Sequence, residues 1–354
     1  MKGDFSRLTF DPLKQFTSVF IQQGRVQLDA DWNEQAAILL HYLKRLAADL
    51  IGPYGGPAED CGFAIVFDSA KADFTISKGR YYVDGLLCEN PAMDAHYYGQ
   101  PSLPLDPKTH LLPPFPFLVY LDVWERHISS IEDGSIREVA LEGPDTATRA
   151  QVVWQVRMTH ELPPGVASAA GGVLPDGTTT SPTTAAEKSP GGAPDSAAPL
   201  VEKAIPFPAT RKEVEKLWLA WVETWQPAHR GSLRAQAKPS GDPLDPCVAS
   251  PAARYRGVQN QLYRVEVHAA GMAGKGATFK WSRDNASTAF AIVNLVKESG
   301  SKMTTVTLAD LGHESRPGLD PGDWVEIVDD GVTLEAQAWP LLQVATVDGE
   351  RRRV

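Results

Sequence analysis

The chain has 354 residues, 43% hydrophobic and 22% charged, which supplies ample core material and excludes wholesale disorder. That length exceeds what one hydrophobic core usually serves, so two or three domains are expected. A formal net charge of -10 and a pI near 5.3 give no basic field for gripping phosphate backbones, which argues against nucleic acid as a partner.

No apolar run approaches the roughly 18 residues that span a bilayer, and Met1–Arg7 leads into no apolar signal core. The expectation is a protein made in the cytoplasm without a signal peptide and without membrane insertion. Cys61, Cys88 and Cys247 lie far apart with no CxxC pair, so they read as buried free thiols, neither a disulfide framework nor a zinc cluster.

In chain order, Phe16–Ile21 is β-prone and Gly24 permits a turn, which predicts a short strand or an extended arm. A helix follows. Asp31 is placed to cap its first amides, with Glu34 reaching back three residues later. Ala36, Leu39, Leu40, Leu43, Leu46, Ala47 and Leu50 recur at steps of three and four, and Gly52-Pro53 supplies the stop. Ile38, Tyr42 and Ile51 widen that stripe, so the helix needs burial against its own domain or against copies of itself. Arm, turn and helix bury too little to be stable alone and are expected to dock on something else.

Beyond Pro57 the texture turns to β. Phe74–Ser77 and Gly79–Cys88 read as a pair of strands, Phe117–Glu125 as a central strand and Ala150–Arg157 as a half-exposed one. Residues Pro163–Pro199, rich in Pro, Gly, Ala, Ser and Thr, read as a long surface or disordered loop inside this region. Leu217–Trp225 fits either a strand or a short helix. A second proline-rich stretch, Pro239–Pro251, marks the next boundary. After it, Gln261–His268, Thr278–Arg283 and Lys302–Leu308 alternate as strands, and Gly322–Gly331 reads as a strand entering an Asp-Gly hairpin turn. Leu342–Val354 reads as a strand, a turn at Asp348-Gly349 and a returning strand, so the chain looks either truncated or completed by another subunit.

The search for chemistry finds little. No two histidines stand four apart on a helix with a glutamate, and no acidic cluster has calcium-loop spacing. His268 reads as a hydrogen-bonded structural histidine at the end of a strand. No serine sits in a G-x-S-x-G elbow, and Gly271–Gly276 lacks the context of a phosphate cradle. No catalytic residue, metal ligand or cofactor is assigned, and the chain is expected not to be an enzyme. Trp124, Trp154, Trp218, Trp221, Trp281 and Trp324 fall in strand-like runs, where core or interface packing outweighs a glycan-stacking role.

The segments Phe10-Asp11-Pro12 and Val19–Gln35 resemble the start of a family of uncharacterised bacterial proteins encoded among phage-tail-like contractile injection system genes. The resemblance continues at Tyr255–Glu266, Phe279–Ser287 and Gly322–Glu326, and does not extend to Pro163–Pro199. It implies a baseplate-associated, fibre-like or cage-like component present in several copies, incorporated into a particle that is released from the cell. It carries over no catalytic residue.

The combined expectation is an α+β, mostly β chain. It has an N-terminal arm and assembly helix over residues 1–52, a β domain over 53–238 and a second over 239–354. The candidate assembly interface comprises Phe20, Gln22, Gln23, Arg25, Trp32, Leu39, Leu43, Leu46 and Leu50. Expected partners are further copies of the chain and other baseplate or tail proteins of the particle. The alternative is a carbohydrate-binding adhesin that recognises cell-surface glycans through its tryptophan-bearing β domains.

Overall fold

The computed structural model describes residues 3–5, 8–59, 61–68, 72–93, 95–103, 105–112, 117–159, 211–225, 262–272, 274–297, 300, 302–312, 318–335 and 340–354. The expected Pro163–Pro199 loop, the 238–239 boundary, Pro239–Pro251 and Cys247 lie outside them. The described chain is mostly β, built from several small antiparallel sheets with few helices, one of them N-terminal.

The arm is extended, not a strand. Asp11 caps a single 3-10 turn at Pro12–Lys14 by accepting from Leu13 N, and the chain then runs exposed to the turn at Gly24. It doubles back along helix α1 (Asp29–Ile51): the Thr9 hydroxyl donates to the Glu34 carboxylate, the rings of Phe10 and His41 stand 5.3 Å apart, and Val19 N donates to Gln35 Oε1 at 2.8 Å. The helix starts three residues earlier than the capping pattern suggests. Leu28 takes the cap position, and Asp31 in the first turn accepts from Leu28 N at 3.3 Å, the reach-back role expected of Glu34. Glu34 is instead engaged by Thr9.

Strands β1 (Tyr54–Gly55), β4 (Gly79–Val83) and β5 (Leu86–Asn90) form one sheet, while β2 (Ile65–Asp68) pairs with β3 (Asp73–Ile76). The run Gly79–Cys88 is therefore a hairpin, and Phe74–Ile76 pairs with β2, a strand the sequence reading missed. The hairpin turn is Asp84-Gly85, both at positive φ (46° and 76°), the left-handed pair that a two-residue turn demands. This turn also seats α1. A Cβ added at Gly85 would lie 2.1 Å from the Lys44 carbonyl oxygen, so only glycine lets helix and turn approach.

Strands β6 (Leu118–Ile128) and β7 (Arg149–Thr159) make a long ribbon registered from Leu118↔Thr159 to Ile128↔Arg149. Contrary to expectation, β7 is the more buried strand: Val153, Trp154, Gln155 and Val156 are covered on both faces, while β6 is half-buried. Phe74, Ile76, Cys88, Ala95, Tyr97, Trp154 and Val156 share one core. Burying each large side chain there contributes roughly 1.5–3 kcal/mol. Burial pushes the Cys88 thiol up to about 12; Cys61, expected to be buried, is exposed.

Because the hairpins do not merge into one sheet, buried amides satisfy the backbone between them. Gln100 donates to the carbonyls of Tyr97 and Val156 and accepts from Val156 N; Asn90 donates to Ile76 and Ser77; Gln155 donates to Ser102 and Leu334. Residues Arg211–Trp225 resolve as helix α2, whose Trp225 packs on Tyr120 of β6 and stacks 4.0 Å from Trp221. The i, i+4 spacing of those two rings puts them on one helix face.

In the C-terminal part, β8 (Tyr263–Ala269) pairs with β9 (Thr278–Arg283), β10 (Ile292–Lys297) with β11 (Thr304–Leu308), and β12 (Trp324–Val325) with β13 (Leu342–Gln343). Asp330-Gly331 forms no hairpin. Asp329 caps the short helix α3 (Asp330–Leu334) by accepting from Val332 N, because Val332 and Leu334 find burial there. Helix α3 ties the two β regions: Gln155 and Arg157 donate to the Leu334 carbonyl, and Arg126 pairs with Asp330 at 2.6 Å. The final residues pair within the chain, Val354 and Val306 exchanging two backbone hydrogen bonds of 2.9 Å.

Gly85→Ala must either leave its positive φ or push away from Lys44, so it is expected to cost more than about 1 kcal/mol. Urea unfolding would measure the loss, and hydrogen exchange should show the last turns of α1 deprotected. Unchanged protection in α1 would mean that the turn does not seat the helix.

Candidate functional site

Helix α1 is held by its polar and small-residue side. Besides the arm contacts at Glu34, Gln35 and His41, Lys44 pairs with Glu125 of β6 at 2.6 Å, and Ala30 and Ile38 are the helix's buried residues. The apolar stripe consequently faces outward. Trp32, Leu39, Leu43, Leu46 and Leu50 are all exposed, Leu43 by 57% and Leu50 by 77%. Of the stripe expected to be buried, Ile38 is covered, while the leucines stay exposed among the described residues.

Phe20, Gln22, Gln23 and Arg25 are likewise exposed, around the turn closed by Arg25 N donating to the Gln22 carbonyl. The helix residues of the candidate set fall on one face. The arm residues sit beyond its N-terminus, next to an open notch of about 280 Å³ lined by Gln27, Leu28, Asp29 and Trp32. The sequence reading omitted from the candidate set Leu13, Phe16, Val26, Leu40 and Tyr42, which are also exposed. The apolar residues spread along the arm were the signal available for Leu13, Phe16 and Val26.

A second apolar face was not anticipated. On the β8–β9 hairpin the register Val265↔Trp281 and Val267↔Phe279 lines up side chains that face outward, Phe279 by 70% and Trp281 by 59%. The opposite, charged face turns inward: Arg264 pairs with Glu266 at 2.5 Å, and Lys280 with Glu326 at 2.7 Å. Of the tryptophans expected in core or interface packing, Trp154 and Trp221 are buried in the core, whereas Trp281 and Trp324 are exposed. Alternation predicts two unlike faces; it does not say which one is covered. His268, at the end of β8, has a buried Nδ1 without a partner among the described residues, against the expectation of a satisfied histidine.

Two contacts fix the other end of the arm. Gly3 N donates to the Asn285 carbonyl at 3.0 Å and Asn285 Nδ2 donates to the Gly3 carbonyl at 3.1 Å. Asn285 lies in a turn of three consecutive left-handed residues, Asp284, Asn285 and Ala286, a conformation costing roughly 1–2 kcal/mol per residue. Phe5 packs on His127 with rings 5.4 Å apart, and burial lowers the His127 pKa below its ordinary 6.5.

Among the described residues no three His, Cys, Asp or Glu side chains gather as a metal would require, and no helix is long and apolar enough to cross a membrane. What the geometry offers is docking surface: an apolar arm and helix face, and an aromatic strand face on the β8–β9 hairpin. A mostly β chain presenting an unburied N-terminal helix is the class that fold and site define. Residues 1–169 and 223–354 match a family of unknown function, DUF6519, and the chain belongs to that family. The unmatched stretch, 170–222, takes in most of the Pro163–Pro199 segment that the earlier resemblance also left out. No curated protein and no solved structure matches the chain.

A histidine whose folded pKa is depressed binds its proton more tightly when unfolded, so its contribution to stability falls as the pH drops below 6.5. Thermal unfolding between pH 7.5 and pH 5.5, values that bracket roughly the ordinary histidine range, should show wild type losing more stability than His127→Phe. Parallel curves for the two proteins would assign the acid sensitivity elsewhere.

Proposed function

We propose that the protein is a structural subunit of a phage-tail-like contractile injection particle, a baseplate-associated, fibre-like or cage-like component anchored through residues 1–52. The observation that carries this reading is the outward face of α1. Leucines exposed by 42% to 77%, on a helix fixed from behind by its own chain, are surface that a solitary protein rarely presents. The arm adds exposed Phe16, Phe20, Ile21 and Val26. The resemblance of Val19–Gln35 to proteins encoded with contractile tails points to the particle as the setting.

In this reading the partners are other copies of the chain and neighbouring tail or baseplate proteins. The β regions project from the anchor. The chain performs no catalytic step, binds no cofactor, is made in the cytoplasm and leaves the cell only as part of the particle.

The test is the full chain carrying Phe20→Ser and Leu43→Ser, co-expressed with the contractile tail genes. Both side chains are exposed, so each change should alter stability by no more than about 0.5 kcal/mol. Purified particles should lose the variant at least tenfold relative to wild type. Undiminished co-purification of a folded variant sinks the anchoring idea.

One observation favours a second reading, a glycan-binding adhesin: Tyr263, Phe279 and Trp281 form an open aromatic face, with Tyr263 and Trp281 rings 5.9 Å apart. Glycan-array binding that saturates and is lost in Trp281→Ala would support it. An array without saturable binding leaves that face to protein packing.

A further inference from the structure

Six of the exposed residues of α1 are spaced more strictly than amphipathicity requires. Trp32, Ala36, Leu39, Leu43, Leu46 and Leu50 are separated by 4, 3, 4, 3 and 4 residues, and all six are exposed. That is the 3.5-residue period of a coiled-coil seam, whereas a helix lying on a globular core drifts with the 3.6-residue period of the backbone. The positions flanking the seam are Asn33, Leu40 and Ala47 on one side and Gln35, Tyr42 and Asp49 on the other. Only Asp49 is charged. Lys44 and Arg45 lie outside the flanks, and Lys44 is already paired with Glu125.

We propose that α1 is the core helix of a homotypic, parallel coiled-coil bundle of three or more copies of this chain. Three observations select a copy of itself as the occupant. A seam with one period on a helix fixed in register is complementary to the same seam on another copy. In a parallel arrangement the flanks oppose Gln35 to Leu40 and Tyr42 to Ala47, so no like charges meet along the seam. The face is also wider than a two-stranded seam uses, since Leu40 and Tyr42 are exposed beside it; burying them takes more than one neighbour. Three or more copies bundled lengthwise around one cyclic axis all run in the same direction along it.

The rest of the molecule prepares the helix for this. Contacts from Thr9 and Phe10, the Lys44–Glu125 pair and the Gly85 turn lie behind the seam, and Val19 holds Gln35 at its flank. A seam of little more than two heptads would be marginal for a free peptide, but here the helix is ordered before it associates. The proposal deepens the anchoring role and rests on residues 1–52 being an interface, yet it is read separately from incorporation into a particle.

Sedimentation of the full chain over a wide concentration range should give a mass of at least three protomers. Leu39→Glu with Leu43→Glu should reduce it to one, with an unchanged circular-dichroism spectrum. In a Cys61→Ser, Cys247→Ser background, Leu46→Cys should cross-link between copies on oxidation at least tenfold faster than Arg45→Cys, a measurement that does not depend on the glutamate variants folding. A monomer at every concentration, a dimer as the end state, or equal cross-linking at the two positions would falsify the proposal. A chain that self-associates but stays off particles fails only the particle reading; a monomer that still joins particles fails only this one.

Discussion

Everything distinctive about this protein depends on how helix α1 meets the β hairpin behind it. The Lys44 backbone lies against Gly85, where no side chain fits, and its ammonium reaches Glu125 on the next ribbon. These contacts use the side of the helix that carries Ala, Glu, His and Lys, and so rotate the leucines away from the core. A helix docked through its leucines would contribute more burial to its own domain and leave nothing for a partner. The arm reinforces the same orientation by hydrogen-bonding to Glu34 and Gln35 on the docked side.

The β regions follow a related logic. The sheets are small, so few backbone ladders hold them together, and the connections fall to side chains: Gln100, Asn90 and Gln155 inside the first region, Arg126, Arg157 and α3 between the two. Such amides are stabilising only while every partner is present, which couples the hairpins to one another. The β8–β9 hairpin turns its ion pairs inward and its aromatic residues out. With the leucine face of α1, it gives the described residues two apolar surfaces lacking cover, and the proposed assembly role rests on the first of them.

Local signals proved legible where a single period or turn rule governs. The body and end of α1 and the strands around Tyr263–His268, Thr278–Arg283 and Thr304–Leu308 were readable in the chain. The Asp-Gly rule misled at Asp330-Gly331, where burial of Val332 and Leu334 favours a helical turn, while the hairpin at Asp84-Gly85 lies inside a run that reads as one strand. Leu217–Trp225 stayed open between strand and helix because three tryptophans dominate it, and aromatic residues suit both. The strand Ile292–Lys297 passed unread for want of alternation.

The sequence by itself determined that residues after Asp29 form a helix with a leucine face, that the remainder is mainly antiparallel β, and that no familiar catalytic pattern is written in it. Those properties are local: periodicity, turn chemistry and residue type act over a few positions. Only the tertiary structure decided which side of α1 and of β8–β9 would be covered, that β7 and not β6 is the buried strand, and that Val354 pairs with Val306. Each of those outcomes turns on a contact between residues far apart in the chain, such as Lys44 with Glu125, Arg126 with Asp330 and Gly3 with Asn285, and an alternating or periodic stretch is equally consistent with either of its faces meeting the core.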